Sequence, residues 1–460
     1  MSVGIAVPTQ ISPALANVDA KLLRELAKPA ADPDFWSPKA RDRSDSAHCI
    51  FLYPAMMVPV VQRRLLDAVL TTQSGVKSIY DPFVGSGTSL VSGMHYGLAT
   101  YGNDINPLAV LISRVRTSRE FDGSIRAICE KVVSNAEVDG SSIIETELKN
   151  WQKWFKTDVA IELSRLRRAI RNESDLWVRR FLWVTLAETI RLTSNDRTST
   201  YKLHARSAED IERRNLSPIK VFMELSLKNS TSFHKFRREL HNKNKIDNGA
   251  YCANTKIILA DARDDLVNMW EGHAPFDLLM TSPPYGDNIT TVTYGQHSYL
   301  PLNWIDFTDI DPAADINSLR TTQEIDRRGL GGRTIVTASD EEALFSLSPT
   351  LKKFADTMSA HPKDGRVRLM RFYRDFSKSL EMLTRQLRPN GYMIWTVGNR
   401  NIGGQQVPTD GILGELLEGQ RCRLVTTLRR TIHHKRMPDR NASSKTMREE
   451  KIVLARKLAD

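Results

Sequence analysis

VKSIYDPFVGSGTSLVSGMHYG, residues 76–97, changes character twice within a short span. Val76–Tyr80 is a short apolar run that predicts a strand. DPFVGSG follows, rich in Pro and Gly, and predicts a sharp turn. From Thr88 to Tyr96 the apolar positions recur at helical spacing, with Gly97 as the stop. A strand feeding a glycine-rich turn and then a helix lets backbone approach a ligand closely and aims free N–H groups at it. GSGTSL lacks the third glycine of the dinucleotide fingerprint, and no Gly-Lys-Ser/Thr follows to make a phosphate-binding loop.

The next segment decides what that turn belongs to. Thr100–Ile105 (TYGNDI) predicts a second strand, so the unit is βαβ and the sheet parallel. Asp104 stands at its end, where an acidic side chain can accept hydrogen bonds from ribose hydroxyls. Turn and carboxylate together point to an adenosine-containing cofactor. Upstream, Pro54 to Leu70 predicts a helix, and residues 1–45 a partly ordered lead-in. The α/β pattern resumes at Lys256–Ala262 and Phe276–Ser282. It continues in a helix over 371–387, a buried strand in RPNGYMIWTVGN, a helix near 409–418, and strands near 423–432 and 451–456.

Two stretches interrupt the pattern. Residues 120–250 predict an inserted helical subdomain, in which Trp151, Trp154, Trp177 and Trp183 read as core. Residues 295–370 form a second insertion, read as irregular over 300–365, with IDRRGLGGR (325–333) its most flexible and basic piece. The expected organisation is therefore a Rossmann-like domain over 46–119 and 251–460, carrying both insertions. Target recognition is expected in these insertions, with 295–370 a candidate for it and the choice between the two left open.

At 460 residues and 41% apolar content, the chain can bury a large core. No apolar run is long enough to span a membrane, and the N-terminus shows no basic-then-apolar signal. Both predict a cytoplasmic protein without a membrane partner. Four scattered cysteines offer no metal-site spacing and no disulfide framework, so no metal is expected and the thiols read as buried and inert. The net charge of +11 is uneven. Residues 151–250 hold 21 Lys/Arg against 12 Asp/Glu, and residues 421–460 hold 12 against 4. Two basic stretches predict a polyanionic partner, because phosphate contacts supply most non-specific nucleic-acid affinity.

The second decisive string is Thr281-Ser-Pro-Pro-Tyr285, at the C-terminal end of a strand, where open α/β sheets bind ligands. Two prolines hold the backbone extended and leave its carbonyls without neighbouring N–H groups. Tyr285 offers a flat face for a base.

With both strings in place, the chain resembles the S-adenosylmethionine-dependent DNA methyltransferases that act on exocyclic amines. DPFVGSGT matches their first cofactor motif, and TSPPY their (Asp/Asn/Ser)-Pro-Pro-(Tyr/Phe) motif. FLYPAMMVPVVQRRLL (51–66), NDINPLAV (103–110) and LADARD (259–264) are similar to further cofactor motifs. The likeness spans roughly 50–116, 256–300 and 370–457.

The resemblance implies an α/β, Rossmann-like methyltransferase fold with a mostly parallel sheet. It implies S-adenosyl-L-methionine as cofactor, held by Tyr53, Pro54, Asp81, Phe83, Gly85, Gly87, Thr88, Asp104, Ile105, Asp261 and Ala262. Within that set Asp81 is expected to meet the methionine ammonium, Asp104 the ribose and Asp261 the adenine amine. Ser282, Pro283, Pro284 and Tyr285 would act on a base flipped from double-stranded DNA. Ser in the motif's first position resembles the cytosine-N4 branch. Adenine-N6 methylation and a catalytically silent DNA-binding subunit are the alternatives. Arg167, Arg168, Arg197, Lys202, Arg327, Arg328, Lys435 and Arg436 are the expected nucleic-acid contacts. Cognate restriction or defence proteins would be its company, and the oligomeric state is left open.

Overall fold

The computed structural model describes residues 13–28, 32, 34–39, 46–118, 125–289, 291–358, 363–402, 405–433, 440–441, 444–445 and 448–459. Its centre is a seven-stranded sheet. In chain order the strands are β1 (Ser78–Asp81), β2 (Ala99–Asp104), β3 (Thr255–Leu259), β4 (Phe276–Thr281), β5 (Leu387–Gly398), β6 (Cys422–Thr431) and β7 (Glu449–Lys457). Across the sheet they lie in the order β6-β7-β5-β4-β1-β2-β3. The pairs from β5 through to β3 are parallel, while β7 runs antiparallel between β5 and β6. The order reverses at β1, which sits between β2 and β4. A crevice at the C-terminal strand ends is expected there.

Side chains alternate across the sheet with the two-residue period of a strand. Ile79, Leu278, Ile394 and Ile452 belong to one hydrophobic cluster. Tyr80, Leu279, Trp395 and Val453 belong to the opposite one. Helices Pro59–Thr72 and Pro107–Arg116 cover the first face. Helices Lys363–Arg385 and Thr409–Gly419 cover the second.

The helices between Ile125 and Asn242 join the first cluster through Leu163, Phe181, Trp183 and Phe233. Trp154 and Trp183 are buried, and Trp151 and Trp177 pack against the same cluster, so the tryptophans serve the core.

Several expectations need correction. The helix read from Pro54 to Leu70 begins only at Pro59. Pro59 has no N–H to donate and disfavours helical backbone at Val58, which leaves 53–57 as loop. The lead-in contains a helix, Pro13–Ala27. Its buried Asp19 accepts from Tyr392 at 2.8 Å and from Arg456 at 2.9 and 3.0 Å.

Residues 300–365 include helices Phe307–Ile310, Ala338–Leu347 and Pro349–Thr357. A Thr337–Asp340 capping box opens the second, and the Ser348 side chain caps the third. Nor is IDRRGLGGR loose. Glu324–Arg328 is helical, and Ile325, Asp326 and Leu330 are buried. Gly331, at φ +76°, donates its N–H to buried Asp375 at 2.9 Å. Among the cysteines, Cys129 and Cys422 are buried, with burial raising their thiols to about 11 and about 12, whereas Cys252 is exposed.

Candidate functional site

The ends of β1 and β4 meet through their motifs. Thr281, the last residue of β4, donates its hydroxyl to Asp81 Oδ1 at 2.5 Å. Ser89 donates to Oδ2, and the Phe83 N–H to Oδ1 at 3.1 Å. Asp81 is completely buried, and burial pushes its carboxyl up to about 6. Its expected role toward an ammonium group is corrected accordingly: the side chain turns inward, staples the two strands together and does not line the cavity.

Beyond the staple the turn opens onto a cavity of about 830 Å³, its open mouth included. Gly85, at φ +48°, forms part of the wall, in a conformation that L side chains rarely adopt. Gly87, at φ +77°, lies off the wall. It turns the chain into helix Thr88–Met94 and packs near Ser113, so its part in the site is indirect. Phe83 and Thr88 line the cavity, and the Thr88 hydroxyl sits 3.0 Å from His48 Nε2.

Asp104 sits on the cavity wall at the end of β2. Its Oδ2 accepts from the Gly85 N–H and its Oδ1 from the Asn106 N–H, both at 2.9 Å. Burial raises it to about 6, against the lowering effect of those backbone donors. Each carboxylate oxygen has a further lone pair to offer. Ile105 and Ala262 supply apolar wall.

Tyr53 and Pro54 come from the loop freed by Pro59. The Tyr53 ring lies nearly parallel to Tyr294, with centroids 5.7 Å apart, and Asn106 donates to its hydroxyl at 2.9 Å. Asp261 also reaches the cavity, but both its oxygens are held by Arg263, which bridges onward to Asp375. An adenine amine there would share a carboxylate that already carries a guanidinium.

Ser282 and Pro284 line the same cavity, whereas Pro283 is buried behind it and Tyr285 lies outside the wall. The Tyr285 hydroxyl stands 3.3 Å from Ser282 Oγ and donates to Glu450 Oε1 at 3.2 Å. Burial, followed by the Glu450 charge, pushes the Tyr285 phenol well above its usual range.

Several residues of the site carry no motif signal in the sequence. Asn288 and Tyr294 reach the cavity from beyond TSPPY, and Ile325, Gly329 and Leu330 cover it from the second insertion. Asn288 Oδ1 is buried with no hydrogen-bond partner among the described residues. Spacing from the motif could have nominated Asn288. Nothing local marks Ile325, Gly329, Leu330 or Glu450 as site residues.

A second cavity lies beside the first, lined by Thr198, Tyr201, Lys202 and His204 of the first insertion and by Thr291, Thr293 and His297 beyond TSPPY. Thr293 donates to the Tyr201 carbonyl at 3.2 Å, and Gln296 accepts from the Leu203 N–H at 3.1 Å. Arg197 and Lys202 are exposed on this loop, as is Arg327 on the second insertion.

Arg167 and Arg168 do not fit their expected role. Arg167 is 5% exposed and bonds Asp306 Oδ1 at 3.0 Å and the Glu145 carbonyl at 2.9 Å. Arg168 pairs with Asp139 at 2.7 Å and Glu145 at 2.9 Å. Acidic residues outside the basic stretch neutralise both within the fold. Arg328 faces the cofactor-sized cavity and bonds Glu324 at 3.2 Å. Lys435 and Arg436 lie outside the described residues.

A mostly parallel sheet whose last strand is reversed, with a glycine turn and an acidic strand end converging on one cavity, defines a Rossmann-like α/β methyltransferase fold. The comparisons narrow that class. The chain is 32% identical over 417 residues to "Type II methyltransferase M.MvaI" from Kocuria varians, covering 88% of each protein. The protein belongs to this type II methyltransferase family. No family model matches the chain. Among solved structures, the rRNA methyltransferase AviRa from Streptomyces viridochromogenes aligns at TM-score 0.32 and 13% identity over 90% of this chain and 92% of that one.

Proposed function

We propose that this protein transfers a methyl group from S-adenosyl-L-methionine to the exocyclic N4 amine of cytosine in double-stranded DNA, as the modifying member of a restriction or related defence system. One observation carries the reading: Ser282, at the end of β4, lines the same cavity as Gly85 and Asp104. A donor held by the first motif and an amine held by the second would therefore meet.

The cavity suits the cofactor in shape and charge. Phe83, Ile105, Ala262 and Leu330 give flat apolar walls for an adenine. Asp104 offers acceptors to ribose hydroxyls, and Asn288 Oδ1, without a partner among the described residues, offers one to an ammonium group. S-adenosylmethionine, when bound, supplies an electrophilic methyl on a sulfonium.

The protein's own work is positioning. An amine paired inside the duplex is out of reach, so the base must leave the stack. The Tyr285 ring would stack on it, while Ser282 and the extended Pro283–Pro284 backbone accept from its amine. Alignment of the amine with the methyl supplies most of the rate. Arg197 and Lys202, beside the second cavity, would hold DNA phosphates. Serine as the first residue of SPPY supports cytosine over adenine.

Mass spectrometry of nucleosides from DNA treated with the protein and cofactor tests the proposal. N4-methylcytosine is expected. N6-methyladenine would move the target to adenine, and an unmodified digest would overturn the activity.

A further inference from the structure

Besides Ser282, the Tyr285 hydroxyl meets one charged group among the described residues, Glu450. It comes from β7, 165 residues beyond Tyr285 in the chain. Across the β6–β7 pairing it stands opposite Arg430, whose guanidinium binds its Oε2. Arg430 thus takes one carboxylate oxygen, and Tyr285 takes the other.

That arrangement has a direction. An ionised carboxylate accepts hydrogen bonds and donates none. The Tyr285 phenol has a single proton, which its raised pKa keeps in place, and that proton goes to Glu450. Toward Ser282 the Tyr285 oxygen can then only accept. A hydrogen bond between the two hydroxyls, 3.3 Å apart, must then run from Ser282 to Tyr285, which leaves the Ser282 lone pairs for the cavity that Ser282 lines.

Resting on the activity proposed above, we infer that Glu450 is a positioning residue. Through Tyr285 it fixes Ser282 as a hydrogen-bond acceptor, so that the site selects an exocyclic amine over a carbonyl and drains the amine's surplus proton. An amino group presents N–H donors to that acceptor. The deaminated analogue, uracil for cytosine or hypoxanthine for adenine, presents a carbonyl oxygen and meets lone pair with lone pair. A polar site left unpaired in this way discriminates strongly.

The same chain balances the transfer. The amine nitrogen's lone pair forms the new N–C bond, and the S–C bond of the sulfonium donor breaks with its pair returning to sulfur. The nitrogen then holds one proton too many. It passes to Ser282 Oγ, the Ser282 proton passes to the Tyr285 oxygen, and the Tyr285 proton passes to Glu450. The products are a neutral methylated amine, two intact hydroxyls and a protonated Glu450. That carboxyl is partly exposed and exchanges with solvent.

The test uses Glu450→Gln, Glu450→Ala and Tyr285→Phe in the full-length protein, each first checked for S-adenosylmethionine binding. Fluorescence titration compares a duplex carrying the target base with one carrying its deaminated analogue. Wild type is expected to favour the amine by about tenfold. Glu450→Gln, whose amide can donate back to Tyr285 and reverse the chain, should bring the two within about twofold. In single turnovers Glu450→Ala should lose about 100-fold in rate, and added formate should restore about tenfold of it. Tyr285→Phe should lose rate without formate rescue. A purely structural Glu450 would give no rescue.

Wild-type rate and preference in Glu450→Gln overturn the inference while leaving the methyltransferase reading intact. No methylation by wild type overturns that reading itself. If Glu450→Ala fails to fold, Tyr285→Phe carries the test, since it cuts the chain without disturbing Arg430. Unchanged preference there is equally fatal.

Discussion

The two neighbouring cavities are built by different means. The first is floored by residues just beyond the ends of β1, β2, β3 and β4, and covered by the loop at Tyr53–Met57, by Tyr294 and by residues between Ile325 and Leu330. The second is walled by a loop of the first insertion folded against the chain beyond TSPPY. In the first, strand ends and the Gly85 turn dictate where the backbone runs. In the second, position follows from how an insertion packs, and only contacts such as Thr293 to Tyr201 fix it. Chemistry is expected at the first and DNA contact at the second.

The largest effect should come from separating catalysis from cofactor binding within the first cavity. Ser282→Ala and Tyr285→Ala should each slow methyl transfer by about 100-fold or more, because alignment and the hydrogen bonds to the amine are removed. Cofactor affinity, measured by calorimetry, should change less than about threefold. Equal losses in both would make SPPY a structural element.

Asp104→Ala should do the reverse, weakening S-adenosylmethionine binding by roughly 10- to 100-fold, the scale of hydrogen bonds to a charged group. The carboxyl also predicts a pH dependence. Its value of about 6 is raised by burial, so the ionised acceptor is lost as pH falls through 6. Cofactor affinity should therefore fall from pH 7 to pH 5 and be flat in Asp104→Asn. By the sign of linkage, a raised carboxyl stabilises the fold at low pH, with that contribution lost as pH rises through about 6. The weaker binding in acid cannot then be assigned to unfolding through this group.

Arginine substitutions sharpen the comparison from the other side. Arg197→Glu with Lys202→Glu should weaken DNA binding and lower the slope of log affinity against log salt by about one for each phosphate no longer neutralised. Arg167→Ala should instead lower thermal stability by about 2 kcal/mol, because it strips a buried partner from Asp306. Its salt slope should match wild type. A reduced slope in Arg167→Ala would return that helix to the DNA surface.

What could be read from the sequence follows the same division. The βαβ unit, the cavity-lining Gly85 and Asp104, and the Ser282 strand end were legible because turn chemistry and strand ends are local. Asp81 was misplaced, since a motif fixes the backbone but not which side of it a carboxylate turns to. Arg167 and Arg168 read as phosphate ligands because net charge along a stretch of chain does not register partners elsewhere in it. Their partners, Asp139, Glu145 and Asp306, lie outside residues 151–250. Residues 325–333 read as the most flexible and basic piece, yet Arg263 holds the Arg328 carbonyl and buried Asp375 the Gly331 N–H, beside the cavity. Glu450 reaches Tyr285 only because β7 reverses beside β5, a consequence of topology with no local signature.

The structure of the protein bound to S-adenosylhomocysteine and a target duplex tests the central division most directly. The ribose is expected on Asp104, the extruded base between Tyr285 and the cofactor's sulfur, and the DNA backbone along residues 197–204. A cofactor outside the Gly85–Asp104 cavity, or a duplex on a face remote from the second cavity, would contradict that division.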